Sequence, residues 1–318
     1  MVTTGALQIV FFGTPAFAVP TLDALLGSGH SVVAAVTQPD RPRGRGQRVT
    51  DAPVKTRALA AGIPVLQPDR LRDPAFLQAL RTLNADFGVV AAYGKILTDD
   101  VLATPHLGMV NVHASLLPKY RGAAPVHRAI MAGERETGVT IMRVVKALDA
   151  GPMLATAPRA IGANETSEEV ERDLAHIGAA LLVDTIDAVA RGHAPETPQD
   201  DTAATYAHRL TKEDGAIDWT RRSLDLHNQI RGLHPWPHAF SFLSGRRLIL
   251  RRSEPEETRA PGAPGTLVEA AGDRVVVATG GGHLRLTELQ PEGKRPMTAR
   301  DFLAGHPVKA GDRFTVAP

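Results

Sequence analysis

The chain has 318 residues with a formal net charge of +2, and it contains no cysteine. Its length is large for one domain and comfortable for two. Without cysteine it can form no disulfide, thiolate zinc site or iron–sulfur cluster, and it has no cysteine nucleophile. No apolar run reaches the roughly 18 residues that span a membrane, and the N-terminal segment lacks the basic start of a signal peptide. We therefore expect a cytoplasmic protein that does not associate with membranes.

The first half of the chain alternates strand-like and helix-like segments. Apolar runs predict strands at residues 7–13, 30–38, 63–67, 86–94, 108–116 and 137–145. Helical patterns predict helices between them at 14–29, 53–62, 73–85 and 125–136. This alternation predicts an α/β fold with an open parallel sheet covered by helices on both faces. Ligands of such sheets bind beyond the carboxyl ends of the strands.

The second half of the chain has a different pattern. A long amphipathic helix is predicted at 166–192, where a Thr-Ser start is followed by Glu. A polar stretch rich in Pro, Asp and Thr follows and predicts a linker. A short helix at 223–233 and several short strands between 238 and 291 predict a small β-barrel of the OB type. The predicted organisation is a domain at 1–191, a linker at 192–210 and a second domain at 211–318.

Charge is distributed unevenly between the two parts. Residues 205–318 hold 17 Lys or Arg and 13 Asp or Glu, a net charge of +4, whereas residues 1–204 hold 19 and 21, a net charge of −2. A mildly basic C-terminal part is compatible with a polyanionic partner, and equally with an ordinary solvated surface.

Two polar side chains stand near the end of the predicted strand GMVNVHASL. Asn111 and His113 are two residues apart, so strand alternation places both on one face and Val112 on the other. Their Cβ atoms should lie about 6–7 Å apart. A carboxamide can stabilise an oxygen that gains negative charge, and an imidazole can take or hold a proton near neutral pH. The spacing alone fits a catalytic pair and a pair of satisfied polar residues equally well.

Asp149 lies in the turn-forming sequence Asp-Ala-Gly. The local sequence favours a turn former whose carboxylate bonds its own backbone. A carboxylate at this position could also orient a histidine, as in many acid–base sites. Sequence spacing does not show that Asp149 meets His113.

The segment QPDRPRGRGQRVTDAPVKTR, residues 38–57, is strongly basic. Pro and Gly divide it into a loop directly after a predicted strand. A mobile basic loop at the ligand edge of the sheet suits a phosphate backbone, and a solvated surface loop is the alternative. Its six basic residues are Arg41, Arg43, Arg45, Arg48, Lys55 and Arg57.

Common cofactor and nucleophile motifs are absent from the sequence. Gly13 follows the first strand, but FGTP is not a G-x-G-x-x-G turn, and there is no P-loop. Ser115 is not in a G-x-S-x-G elbow. The 12 His residues show no metal-binding spacing. The sequence therefore predicts no dinucleotide cofactor, no ATP-driven step, no serine hydrolase and no metal.

Longer motifs carry a resemblance to a known family. NVHASLLPKYRGAAPVHRAIMAGERETGVTIM, followed by ALDAGPML, resembles the signature of the folate-dependent formyltransferases. Five further motifs resemble the branch of that family that acts on initiator methionyl-tRNA. They are FFGTPAFAVPTLDALL, TQPDRPRGRG, VVAAYGKIL, KEDGAIDW and RGLHPWPHAF. The resemblance runs from about residue 7 to about residue 303.

This resemblance implies a Rossmann-like formyltransferase domain with a mostly parallel sheet, followed by an OB-like β-barrel that binds tRNA. It implies 10-formyltetrahydrofolate as the formyl donor and no metal. The acceptor would be the α-amino group of methionine on initiator methionyl-tRNA, giving N-formylmethionyl-tRNA for translation initiation. We expect the protein to act as a monomer.

Site residues can be carried over from the family's motifs by position. The catalytic residues would be Asn111, His113 and Asp149. The folate would contact Ser115, Leu116, Leu117 and Pro118, together with Tyr93, Gly94, Lys95, Ile96 and Leu97. The basic loop at about 39–49, which would approach the acceptor end of the tRNA, contains Arg41, Arg43, Arg45 and Arg48.

Other functions remain open at this point. Related enzymes formylate glycinamide ribonucleotide or an amino sugar nucleotide, or hydrolyse the formyl folate. KEDGAIDW and QPDRPRGRG favour tRNA among these acceptors. A nucleic-acid-binding protein with an inactive catalytic domain would also fit the basic loop and barrel, although intact Asn111, His113 and Asp149 argue against it.

Overall fold

The computed structural model describes residues 5–43, 48–256 and 262–317. The chain divides into two compact units, and each consists of several segments. The first unit comprises Met1–Pro125, Glu136–Ala160 and Glu171–Ala207, and the second comprises Val126–Arg135, Ile161–Val170 and His208–Pro318. The predicted boundaries at residues 191 and 210 treat each domain as one continuous segment of the chain, and they stay predictions.

A seven-stranded sheet forms the centre of the first unit. The strands in this part of the chain are β1 (Gln8–Gly13), β2 (Ser31–Val36), β3 (Arg41–Arg43), β4 (Arg48–Thr50), β5 (Val65–Leu66), β6 (Phe87–Ala91), β7 (Met109–His113), β8 (Arg121–Gly122), β9 (Glu136–Arg143), β10 (Met153–Ala160) and β11 (Tyr206–Ala207). The central sheet has the order β10-β9-β7-β6-β1-β2-β5. Its β5, β2, β1, β6 and β7 strands run parallel to one another. The strand β9 runs antiparallel to β7, and the edge strand β10 runs antiparallel to β9. The predicted α/β fold with a mostly parallel sheet is confirmed.

Helices follow most of these strands. They are α1 (Val19–Leu26), α2 (Pro53–Ala60), α3 (Pro74–Thr82), α4 (Asp99–Leu102), α5 (Pro125–Met131) and α6 (Ser167–Ala190). Within the first unit, α6 packs closely on β7, since a Cβ on Gly178 would lie 2.7 Å from Cγ1 of Val112. Val112 is buried by this contact, so one face of β7 is committed to the core. The opposite face is left for Asn111 and His113.

The edge strand β10 does not follow from the sequence pattern. Its sequence, MLATAPRA, is rich in alanine, contains Pro158, and is only partly buried. Proline removes a donor and is tolerated at the edge of a sheet. β10 forms because its backbone pairs with β9 from Met153 to Ala160, with one register shift between Met153 and Ala155, not because its side chains favour a strand.

The second unit is an antiparallel sheet that closes on itself. Its elements are α7 (Ser223–Gly232), β12 (Ala239–Leu243), β13 (Arg246–Glu256), β14 (Leu267–Ala271), β15 (Arg274–Ala278), β16 (His283–Pro291), β17 (Met297–Thr298), α8 (Ala299–Gly305) and β18 (Phe314–Thr315). The strand order is β14-β15-β16-β13-β12-β18. The two outer strands meet where Leu267 N donates to Asp312 O and Phe314 N donates to Gly265 O, both at 2.8 Å. This closure confirms the predicted OB-like barrel.

The second unit contains four histidines whose pKa values are lowered in the fold. Burial, with the Arg128 charge, lowers the pKa of His127 to about 4, and burial, with the Arg251 charge, lowers that of His238 to about 4. Burial is also the main cause of the lowered pKa values of His227 and His234. The unfolded chain therefore binds protons at these positions before the folded chain does.

We expect the second unit to lose stability in mild acid. Its free energy of unfolding should be constant above about pH 6.5 and fall as the pH drops towards 4, by up to about 1.4 kcal/mol per pH unit for each titrating group. Urea unfolding at several pH values measures this, because the two tryptophans, Trp219 and Trp236, both report on this unit. A His127→Gln His238→Gln double variant should show a shallower fall, and an unchanged slope would contradict the assignment.

The described residues contain neither a membrane-spanning helix nor a cluster of metal-binding side chains. No helix among them combines the length and the apolar character needed to cross a membrane. In the same part of the chain, no group of three or more His, Cys, Asp or Glu side chains is placed to hold a metal ion.

Candidate active site

Polar residues from several strands meet at the carboxyl edge of the parallel sheet. Asn111 and His113 end β7, and they pair across to Met142 and Thr140 of β9. The Asn111 side chain is partly exposed, and it has no hydrogen-bond partner among the residues that the structure describes. Its carboxamide is therefore free to bind a ligand oxygen.

The His113 imidazole is held between a carbonyl and a carboxylate. It is 5% exposed, and Nε2 lies 3.0 Å from the backbone oxygen of Tyr120. Because a carbonyl can only accept, Nε2 carries the hydrogen of this bond. Nδ1 faces Oδ2 of Asp149 at 3.7 Å. Nδ1 is thus the ring nitrogen that can exchange a proton.

Asp149 does not act as the local turn former that its sequence favoured. Its carboxylate Oδ2 accepts a hydrogen bond of 2.8 Å from the backbone N–H of Gly122 in β8, and it points to His113. The backbone of Asp149 has φ = 46°, in the left-handed region. The turn needs Gly151, because a Cβ there would lie 1.9 Å from the oxygen of Arg143. The structure therefore brings Asp149 and His113 together.

The Ser-Leu-Leu-Pro segment after β7 forms a tight turn. Ser115 Oγ donates to the Lys119 oxygen at 2.7 Å, and its backbone oxygen accepts from Thr140 Oγ1 at 2.7 Å. Ser115 is buried, so its hydroxyl shapes the turn rather than facing solvent. Leu117 is buried as well. Half-buried Leu116 and Pro118 are the members of this segment that a ligand can reach.

The segment after β6 begins with a buried tyrosine. Burial raises the pKa of Tyr93 to about 12, and its hydroxyl has no hydrogen-bond partner within the described part of the chain. Its backbone oxygen accepts from Gln38 Nε2 at 2.8 Å and from Thr14 Oγ1 at 3.2 Å. Gln38 and Thr14 follow β2 and β1, and the sequence analysis missed both. They tie three strand ends together at one edge.

The remaining residues of this segment face in different directions. Gly94 has φ = 80°, and a Cβ on it would lie 2.5 Å from Gln38 Nε2. Lys95 Nζ donates to the backbone oxygens of Pro68 and Asp69 at 2.9 and 3.0 Å. Leu97 is buried, whereas Ile96 is 79% exposed. Ile96 is the apolar side chain that this segment offers to a ligand.

The basic segment contains a short hairpin rather than a continuous loop. Its strands β3 and β4 pair Arg41 with Thr50 and Arg43 with Arg48. Arg45 lies outside the described residues. The charges of the last two basic residues are already neutralised within the protein. Lys55 pairs with Asp40 and Asp51, and Arg57 pairs with Asp23.

The pairing of Lys55 has an electrostatic consequence. Its hydrogen bond lowers the pKa of the Asp40 carboxyl, which keeps this carboxylate charged. Lys55 and Arg57 are therefore not available to bind a polyanion. The segment 38–57 has fewer positive charges to offer than its composition indicates.

Comparison with known proteins decides between families. The sequence profile described as Formyl transferase matches residues 7–186, and that described as Formyl transferase, C-terminal domain, matches residues 209–307. The chain belongs to the formyl transferase family. These two matches cover most of the chain, and they fall on the α/β part and on the barrel.

Curated relatives in this family match nearly the whole chain. The methionyl-tRNA formyltransferase of Moorella thermoacetica is 46% identical over 306 residues, which are 96% of this chain and 98% of the relative. The methionyl-tRNA formyltransferase of Pelotomaculum thermopropionicum is 47% identical over 306 residues, 96% of this chain and 97% of the relative.

Solved structures share the fold at lower identity. An N-formyltransferase from Helicobacter canadensis in complex with folinic acid and dTDP-3-aminofucose has a TM-score of 0.68 at 17% identity, covering 90% of this chain and 99% of that one. HypX from Aquifex aeolicus in complex with tetrahydrofolic acid has a TM-score of 0.65 at 17% identity. The match covers 94% of this chain and 47% of HypX, so this chain spans about half the length of HypX. At these identities the likeness shows the fold.

Proposed function

We propose that the protein transfers the formyl group of 10-formyltetrahydrofolate to the α-amino group of methionine on initiator methionyl-tRNA. The observation that carries this function is the identity of 46–47% to proteins named methionyl-tRNA formyltransferase, over nearly the full length of both chains. The product, N-formylmethionyl-tRNA, serves translation initiation. The protein is therefore expected in the cytoplasm, where translation starts, and it is expected to work as a monomer.

The folate donor is supported by proteins that share the fold. The Helicobacter canadensis enzyme was solved with folinic acid and HypX with tetrahydrofolic acid. In this chain, the exposed Ile96 and the half-buried Leu116 and Pro118 are the apolar groups proposed to contact the folate ring. Gly94 lets its segment pack against Gln38, which follows β2. The buried side chains of Tyr93 and Leu97 anchor the segment in the hydrophobic core.

The proposed chemistry needs one oxyanion and one proton transfer. The methionyl amine attacks the formyl carbon on N10 of the folate, and a tetrahedral intermediate with a negatively charged oxygen forms. The Asn111 carboxamide donates a hydrogen bond to that oxygen, and the His113 imidazole can donate a second one from Nδ1 once it is protonated there. The carbon–N10 bond then breaks, the amine loses one proton and N10 gains one, so tetrahydrofolate leaves in its neutral form. The enzyme forms no covalent bond to the substrate.

Asp149 supports the proton transfer by its position. Its carboxylate faces Nδ1 of His113 at 3.7 Å. A small rotation of the imidazole ring would bring the two atoms within hydrogen-bonding distance. A carboxylate there stabilises the protonated imidazole when the ring takes up the amine proton. His113 is thereby the group that carries the proton from the amine towards N10, and Asp149 is its partner.

The acceptor tRNA is proposed to bind through phosphate contacts. In the first part of the chain the basic residues proposed for these contacts are Arg41, Arg43 and Arg48 of the β3–β4 hairpin, together with Arg45, which lies outside the described residues. In the second part of the chain the net charge of +4 at 205–318 supplies a further basic surface. Phosphate contacts of this kind give affinity that falls steeply with salt.

A panel of formyl acceptors tests the proposal. Purified protein with 10-formyltetrahydrofolate is incubated with methionyl-tRNA, an amino sugar nucleotide, glycinamide ribonucleotide, or no acceptor. We expect formylation of methionyl-tRNA alone. Preferred formylation of either small amine, or hydrolysis of the folate without an acceptor, would contradict the proposal. Binding of tRNA without formyl transfer would indicate a nucleic-acid-binding protein instead.

A further inference from the structure

The segment 199–207, which the sequence assigns to a linker, is paired with the strand beside the candidate site. Its strand β11 runs parallel to β8, and the backbone N–H of Arg121 donates to the Thr205 oxygen at 2.8 Å. The chain is packed so tightly here that a Cβ on Gly122 would lie 2.8 Å from the Ala207 oxygen. This segment is therefore a fixed part of the first unit.

The backbone around β8 holds both ionisable groups of the site. The Tyr120 oxygen accepts the hydrogen bond of His113 Nε2, and the Gly122 N–H donates to the Asp149 carboxylate. The N–H of Tyr120 in turn donates to Thr205 Oγ1 at 2.9 Å. Any displacement of β8 would move the imidazole and the carboxylate relative to each other.

One side chain of the 199–207 segment connects β8 to the turn that carries Asp149. Gln199 Nε2 donates to the backbone oxygens of Asp149 and Gly151, at 2.9 and 2.8 Å. Its Oε1 accepts two hydrogen bonds from Arg121, at 3.0 and 2.8 Å. Arg121 is 4% exposed and is also paired with Asp201 at 2.7 Å. All the hydrogen-bonding capacity of the Gln199 amide is used in this bridge.

The turn at Asp149 needs such an external support. Its left-handed backbone conformation is unfavourable for a residue with a side chain, and its own carboxylate is engaged with Gly122 and cannot brace the turn. The two hydrogen bonds from Gln199 hold the backbone carbonyls of the turn. We infer that Gln199 is a positioning residue for formyl transfer, which fixes the Asp149 carboxylate beside His113. This inference rests on the proposed function of the Asn111, His113 and Asp149 site.

A Gln199→Glu variant separates positioning from packing. The substitution keeps the shape of the side chain and the acceptor for Arg121. It replaces the amide hydrogens by a carboxylate oxygen that faces two carbonyl oxygens, so the turn at Asp149 is pushed away. The variant therefore breaks the support of the turn while it keeps a partner for the buried Arg121 charge.

The second unit offers a matched control with the same chemistry. Gln229 Nε2 donates to the backbone oxygens of Asp214 and Ala216, at 2.8 and 3.0 Å, and its Oε1 accepts from Arg221 at 3.1 Å. Gln229 is 5% exposed. Gln229→Glu thus introduces the same repulsion against two backbone carbonyls within the second unit, and Gln229 has no bond to the turn at Asp149 or to β8.

The experiment compares single-turnover formyl transfer to methionyl-tRNA in the wild-type protein and both variants, with Michaelis constants and melting temperatures measured in parallel. Gln199→Glu should slow transfer about 100-fold, since a misplacement of about 1 Å can cost this much. Its Michaelis constants for folate and tRNA should change little. Gln229→Glu should lower the melting temperature comparably and keep the wild-type transfer rate.

Two outcomes would overturn the inference while the wild-type protein is active. One is a near-native rate in Gln199→Glu, and the other is an equal loss of rate in both variants. A wild-type protein that transfers no formyl group would overturn the proposed function instead. If Gln199→Glu does not fold, Gln199→Met tests the same support, because it keeps the length of the side chain and removes both donors to the turn. A Gln199→Met variant that folds and retains the wild-type rate would also overturn the inference.

Discussion

Replacing His113 or Asn111 by alanine should slow single-turnover formyl transfer by about 100- to 1000-fold each, the usual cost of one lost oxyanion donor. Asp149→Ala should also slow transfer, because it removes the carboxylate that faces His113 Nδ1 at 3.7 Å. Rapid-quench measurement with saturating folate and methionyl-tRNA isolates the chemical step. Under these conditions the loss should appear in the rate constant of transfer and not in substrate binding.

The first unit contains a control for these substitutions. His106 Nε2 is bonded to Asp86 Oδ1 at 2.8 Å, and the His106 side chain is exposed. His106→Ala therefore breaks a histidine–aspartate pair of similar chemistry at the surface, and it should transfer formyl at the wild-type rate. Near-native rates from His113→Ala, Asn111→Ala and Asp149→Ala together would exclude this site as the catalytic centre.

Removing the charges of the basic hairpin should weaken tRNA use strongly. We expect a variant in which Arg41, Arg43, Arg45 and Arg48 are all replaced by Gln to lose about 100- to 1000-fold in kcat/KM for methionyl-tRNA at moderate salt. Each phosphate contact contributes roughly 0.7 to 0.9 to the slope of log affinity against log salt. The slope of this variant should therefore be lower by about 3. Transfer at saturating tRNA should be affected much less.

Arg57 provides the control for the hairpin variant. It belongs to the same basic stretch of sequence, but its guanidinium is paired with Asp23. Arg57→Gln should therefore leave kcat/KM for methionyl-tRNA and its salt dependence close to those of the wild-type protein. A hairpin variant that matches Arg57→Gln in both quantities would show that the hairpin does not contact tRNA.

Features that depend on local periodicity could be predicted from the sequence. The two-residue spacing of Asn111 and His113 predicts a shared face, and the packing of Val112 against α6 is consistent with it. The alternation of strands and helices predicts the mostly parallel sheet, and the short strands after residue 238 predict the barrel. Each of these follows from a periodic pattern of apolar and polar side chains within a short stretch of sequence.

Features that depend on tertiary contacts could not be predicted in this way. The pairing of Asp149 with His113 needs a turn that only the packing of Gly151 and Gly122 allows. Local sequence therefore favoured the wrong partner for the carboxylate. The strand β10 forms by backbone pairing at an edge, and its side chains carry little strand signal. The pairing of Lys55 with Asp40 likewise cannot be read from composition.

Gln199 illustrates the same limit in a polar segment. Pro, Asp and Thr around it indicate a solvated linker, because nothing in the local sequence shows that its amide bridges Arg121 to the turn at Asp149. A side-chain amide that satisfies four bonds to distant residues leaves no periodic signal. Such residues become visible only when the hydrogen bonds are known.

The contacts of His113 indicate which ring nitrogen takes part in the proposed proton transfer. His113 Nε2 is occupied by the Tyr120 oxygen, and Nδ1 faces Asp149. In the proposed mechanism, proton exchange at Nδ1 is therefore coupled to the position of the carboxylate, which by our inference depends on Gln199. The Asn111 carboxamide is the other proposed donor, and its position depends on the pairing of β7 with β6 and β9.

Initiator and elongator methionyl-tRNA carry the same amino acid, so a comparison of formyl transfer to the two shows whether the protein selects the initiator. The two tRNAs are charged with methionine and incubated with 10-formyltetrahydrofolate carrying an isotopic label in the formyl group. We expect label on the α-amino group of methionine on initiator tRNA, while elongator methionyl-tRNA remains unmodified under the same conditions. Absence of label from the initiator, or equal labelling of both tRNAs, would contradict the proposed function.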